Sequence, residues 1–507
     1  MNAKTLMIQG TGSGVGKSIL TAAICRHFYN LGLKVAPFKA QNMALNSFVT
    51  EIGDEMGRAQ AFQAEACGIK PDVLMNPILL KPSGDNNSQV IVMGKPGESR
   101  NAQNYYSLHE KHKEIVLSAL QKLREKYELV IIEGAGSPSE INLKKTDLVN
   151  MFIAEQSDSP VIIVGDIDHG GVFAWMKGTY DLLTTSEKNL VKGFLINKFR
   201  GDVNLLMPGV KQFEDMVGKP VLGIIPYAKN LVVDEEDTIP HWNYSAAKGA
   251  KGILNVAVIW SPRMSNFTDL SPLAHDPSVS IRYINHPSQM GNPDLIILPG
   301  SKNTIDDLIY LKEQGMTEEI SNSQKNGSMV IGICGGFQML GNKICDPKNL
   351  ESREKEAIGL GLFDLDTILE SSKLTRQVNL TTLKNEIFEE GLSCQGYEIH
   401  MGRSAFNTSY PTLFSNKEYD NPMNLGITNG SGTIIGTYLH GFFDNDTFRQ
   451  SLLNYVRTKK SIAPPIQSFD YCQFRQNELD RLEKLFIESV NMKQISEIIG
   501  LDTNPSS

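Results

Sequence analysis

Thr5-Leu6-Met7-Ile8-Gln9-Gly10-Thr11-Gly12-Ser13-Gly14-Val15-Gly16-Lys17-Ser18 lies at the start of the chain and decides its architecture. Residues 5–9 form an apolar run of buried-strand length, the glycines make a turn, and 19–29 read as a helix. Strand, glycine-rich loop and helix in that order make a cradle for a nucleoside triphosphate. Glycines let successive backbone N–H groups face the phosphates, and the helix N-terminus adds positive potential. Lys17 is placed to contact the β and γ oxygens, and the Ser18 hydroxyl to ligate Mg²⁺. The expected ATP contacts are therefore Gly10, Thr11, Gly12, Ser13, Gly14, Val15, Gly16, Lys17 and Ser18. A strict Walker loop would begin with glycine at position 11, where this chain has Thr11, so the loop from Gly10 is one residue longer.

Outward from the loop, short buried-strand runs recur at 35–38, 129–133, 161–164, 193–197 and 221–225, each followed by glycine or proline and then helix-like sequence. That alternation predicts a parallel sheet covered by helices on both faces. The small, polar stretch 244–252 interrupts it like a linker, and strands resume at 253–260, 280–285, 294–298, 329–333 and 433–438. The expectation is an α/β protein with two doubly wound domains, 1–247 and 252–450, and a short helical extension at 455–507. The charged, amphipathic segment 478–488 is expected to pack on the second domain, with 503–507 as a disordered polar tail.

At 507 residues, with 41% hydrophobic and 21% charged residues, the chain has the composition of globular domains with sizeable cores. Its net charge of -8, with no block of like charges, argues against general nucleic-acid attraction. No apolar run approaches the roughly 20 residues needed to cross a bilayer. The first ten residues lack the pattern of a signal peptide, so a cytoplasmic location is expected. Six scattered cysteines without CxxC spacing fit neither a disulfide framework nor a zinc site.

Further groups stand at strand ends, where ligands of α/β sheets sit. Glu133 ends the run Val130-Ile131-Ile132 and is a candidate Mg²⁺ ligand alongside Ser18. Lys39, in Pro37-Phe38-Lys39-Ala40-Gln41-Asn42, is placed to hold a transferring phosphoryl group, with Gln41 and Asn42 beside it. Asp166 and Asp168 suit a metal or a substrate but equally a plain turn, and Asn197 is a candidate for the adenine edge.

A second chemistry is written in Gly332-Ile333-Cys334-Gly335-Gly336. A cysteine between an apolar strand and a glycine pair that opens a helix is a nucleophile elbow: the sharp turn exposes the sulfur and the helix N-terminus favours thiolate. Gly335, and Gly300 at the end of 294–298, are the expected oxyanion-hole N–H donors, and His440 after the strand 433–438 is the expected base. The elbow resembles that of class I glutamine amidotransferases, which implies ammonia from glutamine at this site and, with ATP activation at the first, amidation of a carboxylate, with ammonia delivered along a shielded path.

The long P-loop resembles that of dethiobiotin synthetase and its relatives. The Cys334 elbow with His440 resembles class I glutamine amidotransferases, which place Glu two residues after the histidine; Phe442 stands there, so the resemblance implies a Cys–His dyad. Across residues 4–450 the order of motifs, including Gln41-Asn42-Met43-Ala44-Leu45-Asn46-Ser47, Glu133-Gly134-Ala135-Gly136-Ser137-Pro138 and Gly396-Tyr397-Glu398-Ile399-His400, resembles the glutamine-dependent amidases of late corrin-ring synthesis. His169 stands where that family is expected to carry arginine. The resemblance implies MgATP- and glutamine-dependent amidation of the b, d, e and g carboxylates of a corrin a,c-diamide through acyl phosphates. The partners implied are a corrinoid, glutamine and ATP, with no nucleic acid or membrane. The amidase of the a and c carboxylates is the nearest alternative. A partitioning-type switch ATPase, the other, has no need of Cys334 and His440.

Overall fold

The computed structural model describes residues 2–82, 87–101, 109–228, 231, 252–415 and 422–501. The chain forms two units: Met1–Ala44 with Glu55–Glu236 and Arg475–Ser507, and Leu45–Asp54 with Asp237–Phe474.

In the first unit six strands lie in the order Val221–Pro226, Val191–Phe199, Val161–Asp166, Lys4–Gly10, Leu129–Glu133, Val35–Phe38. Every neighbouring pair is parallel. The near-continuous Val/Ile/Leu runs are explained by this arrangement, since strands sandwiched between helices bury both faces. Leu6, Ile8, Ile131, Ile162 and Val164 are all fully buried. The helix Lys17–Asn30 rises from the loop after the first strand and buries Leu20, Ile24 and Phe28 in the same core. A smaller four-stranded sheet, Gln41–Met43, Ile78–Pro82, Asn87–Val92 and Lys95–Asn101, also belongs to this unit.

The C-terminal extension corrects one expectation. Arg475–Ser507 joins the first unit, not the second. Leu479, Leu482, Phe486, Val490, Ile495 and Ile499 enter the same buried cluster as Leu20, Leu222 and Ile225. Helical periodicity marks the apolar face; nothing in it encodes which core receives that face. Residues 244–251 of the expected linker 244–252 and the tail 503–507 lie outside the described residues.

In the second unit the parallel strands Val279–Ile284, Leu254–Ile259, Leu295–Leu298, Met329–Ile333 and Ile434–Thr437 are edged by the antiparallel Ile427–Thr428. The helix Asp446–Lys459 extends the unit past residue 450 and buries Phe448, Leu452, Leu453 and Val456. A second sheet was not expected. Leu365–Thr382 and Ser393–Phe406 form a long antiparallel pair, and the short strand Leu439–His440 adds to its edge. Exposed and buried residues mix over the 18 positions of Leu365–Thr382, so no clean apolar period announces the strand.

Candidate functional site

The first centre lies where the strands of the first unit end. Gly14 and Gly16 adopt left-handed backbone, with φ of 71° and 99°. At Gly16 an added Cβ would lie 2.2 Å from Asn197 Nδ2, so the loop tolerates no side chain there. Lys17 Nζ donates to Gly12 O at 2.7 Å and Gly136 O at 3.1 Å, which ties the loop to the turn after Glu133. Ser18 Oγ donates to Glu133 Oε1 at 2.8 Å, and Lys39 Nζ meets the same oxygen at 3.0 Å. Ser18, Lys39 and Glu133 thus converge on one point.

Gln63, which no motif marked, completes the set by donating to Glu133 Oε2 at 2.6 Å and to Ser18 O at 3.2 Å. It comes from the helix Arg58–Ala66, whose alternating alanines and polar residues give no local reason to single it out. Burial alone would push the Glu133 carboxyl upward. The Lys39 ammonium and the hydrogen bonds from Gln63, Ser18 and Lys39 outweigh that and hold it below the usual range. An ionised carboxylate 2.8 Å from a serine hydroxyl at the loop's end is a donor set that fits Mg²⁺.

Around this point the other expected residues take distinct places. Asn197 Nδ2 donates to Val15 O at 2.8 Å and its Oδ1 accepts from Lys198 N at 2.9 Å, so it braces the phosphate loop. Asn42 is buried and donates to Gln60 Oε1 at 3.0 Å, while Gln41 is half-buried on the neighbouring position. Asp166 accepts from Lys198 Nζ at 2.8 Å and pairs with His169, and Asp168 pairs with Arg200. These two aspartates serve ion pairs within the unit.

The second centre is built on the strand Met329–Ile333. Cys334 follows it with φ 52° and ψ −108°, a backbone state that L residues seldom adopt and that turns the sulfur out of the strand. Its N–H donates to Thr437 O at 2.8 Å, and Gly336 N donates to Pro299 O at 3.0 Å. Glycine is obligatory at 336, where a Cβ would lie 2.0 Å from Leu298 O. Gly335 opens the helix Gly335–Met339, so its N–H has no intrahelical acceptor and is available to an oxyanion. Gly300 faces the same centre: a Cβ there would come 3.5 Å from His440 Cε1.

His440 is fully buried, and the dyad expectation needs correction here. Asp269 Oδ2 lies 2.6 Å from His440 Nδ1, and Asp269 Oδ1 accepts from Gly441 N at 3.0 Å. The carboxylate comes from the short 3-10 turn Phe267–Leu270, 171 residues before the histidine, and Phe442 leaves its usual place vacant of charge. No spacing rule links such positions, and Asp269 carried no signal in sequence. Burial opposes protonation of the ring, but the charge and hydrogen bond of Asp269, followed by Cys334, outweigh it and lift the pKa to about 10. Among the described residues His440 Nε2 makes no hydrogen bond that meets strict distance and angle limits, and Cys334 is the side chain that acts on the ring beside Asp269.

His400 has a structural setting. It stacks on Tyr438 with centroids 3.9 Å apart, and Nδ1 lies 2.8 Å from Gly402 O. Its Nε2 sits 3.4 Å from Glu398, whose buried carboxyl is held low against its own burial by His400 and Arg376.

A phosphate-binding α/β unit and a cysteine–histidine–carboxylate amidotransferase unit in one chain define a glutamine-dependent ligase. Residues 6–240 match the CobQ/CobB/MinD/ParA nucleotide binding domain and residues 255–448 the CobB/CobQ-like glutamine amidotransferase domain. Cobyric acid synthase of Dehalococcoides mccartyi is 47% identical over 98% of this chain and 99% of its own length. Those of Caldanaerobacter subterraneus and Alkaliphilus metalliredigens are 46% and 47% identical over 98% and 97% of this chain, each across 99% of its own length. The chain belongs to the cobyric acid synthase family. Among the described residues no helix is long and apolar enough to cross a membrane.

Proposed function

We propose that the chain amidates the b, d, e and g side-chain carboxylates of adenosylcobyrinic acid a,c-diamide, giving adenosylcobyric acid. A carboxylate is a poor electrophile because its charge repels nucleophiles and oxide is a poor leaving group. Transfer of the ATP γ-phosphoryl to one carboxylate oxygen yields ADP and an acyl phosphate; ammonia then attacks the carbonyl carbon and phosphate departs. Lys17 and the loop amides bind the triphosphate, and Lys39 holds the transferring group. Ser18 and Glu133 are the residues that would hold Mg²⁺, which when bound neutralises phosphate charge.

Ammonia comes from glutamine. The Cys334 thiolate attacks the side-chain amide carbon, and the Gly335 and Gly300 N–H groups stabilise the oxyanion. His440 gives its Nε2 proton to the departing ammonia and then takes one from the water that cleaves the thioester, releasing glutamate. Asp269 keeps Nδ1 protonated and the ring in register, so it is a positioning residue. We place the reaction in the cytoplasm, where ATP and glutamine are supplied.

The observation that carries this reading is the convergence of Asp269 and His440 beside the Cys334 elbow in a chain whose Ser18, Lys39 and Glu133 also converge. The test is mass spectrometry of the a,c-diamide incubated with enzyme, MgATP and glutamine, alongside Cys334→Ala given glutamine or ammonia. Stepwise amidation by the native chain, with the variant active on ammonia alone, is expected. An unchanged diamide, with ATP and glutamine consumed only when another carboxylate is offered, would overturn the substrate assignment.

A further inference from the structure

One stretch from the first half of the sequence belongs to the second unit: Leu45–Asp54, three residues beyond Asn42. The phosphate chemistry makes no use of it, yet Ser47 and Val49 are fully buried. Its anchors are specific. Ser47 N donates to Asn266 Oδ1 at 3.1 Å, and Tyr397 Oη donates to Ser47 O at 3.2 Å. Thr375 Oγ1 donates to Gly53 O at 2.7 Å, and Gln377 donates to Val49 O. Phe48 lies against the Tyr397 ring at 5.7 Å, and Val49 packs with Tyr397 and Ile399 in a buried cluster of their own.

Three of the residues it touches, Tyr397, Asn266 and Ile399, are one step from the glutamine-hydrolysing groups. Tyr397 is the cross-strand partner of His440 and stacks on its ring, with centroids 5.3 Å apart and planes at 18°. Asn266, held in left-handed backbone at φ 52°, heads the turn that carries Asp269, and its carbonyl accepts from Asp269 N at 3.1 Å. Ile399 presents the carbonyl that Cys334 Sγ approaches at 3.6 Å. A single strap of ten residues, Leu45–Asp54, therefore touches the immediate support of the nucleophile, the base and the carboxylate.

We propose that Leu45–Asp54 is a positioning element of the glutaminase centre, acting through Asn266 and Tyr397, so that glutamine hydrolysis depends on how this strap is seated. The inference rests on the two-site reading above. Buried hydrogen bonds of this kind that hold a reacting group in place are each worth roughly five- to tenfold in rate.

The test uses the full chain with Asn266→Gly, which keeps the left-handed backbone but removes the acceptor, and Tyr397→Phe, which keeps the stacked ring but removes the hydroxyl. Each is expected to lower kcat for glutamine hydrolysis by roughly five- to tenfold, with KM for glutamine within about twofold. Amidation driven by ammonia is expected to be unchanged in both. The double variant is expected to lose less than the product of the two, since both bonds seat one element. Native glutamine hydrolysis in both variants would overturn the proposal, as would equal losses with ammonia and glutamine. Cys334→Ala, run alongside, abolishes glutamine hydrolysis whichever way the strap variants behave, so the two-site assignment is judged separately.

Discussion

Replacing Asp269 by Asn removes one charge from the 2.6 Å contact with His440 while keeping the shape of the side chain. A hydrogen bond to a charged group contributes about 1.5–3 kcal/mol, so losing its charge-assisted part alone costs about 10- to 150-fold in any step that needs the imidazolium. The amide adds a second penalty. With its NH₂ turned to Nδ1 it forces the neutral ring's proton onto Nε2, the nitrogen that must accept one, while its oxygen still has Gly441 N to serve. The combined expectation is a fall in glutaminase kcat of about 10²- to 10⁴-fold, the upper figure being the loss known for the same change in serine-protease triads. The direction in pH follows from His440 being raised to about 10 chiefly by Asp269 acting against burial. In the native chain the protonated ring persists through neutrality and is lost as pH rises through that value; in Asp269→Asn it is lost at markedly lower pH. The assay is glutamate release against pH, with ammonia-driven amidation measured in the same preparation. A variant within threefold of native kcat, or with an unmoved pH profile, would refute the orienting role.

Glu133→Gln leaves the buried Lys39 ammonium without its carboxylate, so a stability loss of about 3–5 kcal/mol is expected by denaturant titration, together with loss of ATP-dependent amidation. Gly336→Ala drives a methyl to 2.0 Å from Leu298 O, and glutaminase activity should disappear while nucleotide binding, read by calorimetry, persists. Phe486→Ala should destabilise the first unit by about 3–5 kcal/mol, seen as a lowered Tm that added ATP partly restores, with the glutamine-hydrolysing residues untouched.

The parallel sheets were legible because their strands are buried on both faces, which leaves unbroken runs such as Leu129–Glu133 and Met329–Ile333 that appear at the expected positions. The phosphate loop and the elbow were legible because each requires glycine beside a reactive side chain, a local demand that shows in local sequence. Asp269 and Gln63 were not, since each meets its partner only through the fold: Asp269 is 171 residues from His440 and Gln63 is 70 from Glu133. The strap escaped for the opposite reason. Its sequence was conspicuous within Gln41-Asn42-Met43-Ala44-Leu45-Asn46-Ser47, but continuity with Lys39 assigned it to the wrong unit.

The first unit is interrupted in sequence, its core needing Leu479, Leu482 and Phe486 from the last stretch of the chain. On the ribosome that ordering has a temporal meaning. At roughly 5–20 residues per second, some tens of seconds of translation separate residue 236 from residue 475. For that interval the nucleotide half waits with an apolar surface around Leu222 and Ile225 unfilled, while the nested amidotransferase half has all of its own residues as soon as Phe474 emerges. A chain that stops before Arg475 is therefore expected to contain every residue of the amidotransferase half, and a nucleotide half that lacks Leu479, Leu482 and Phe486.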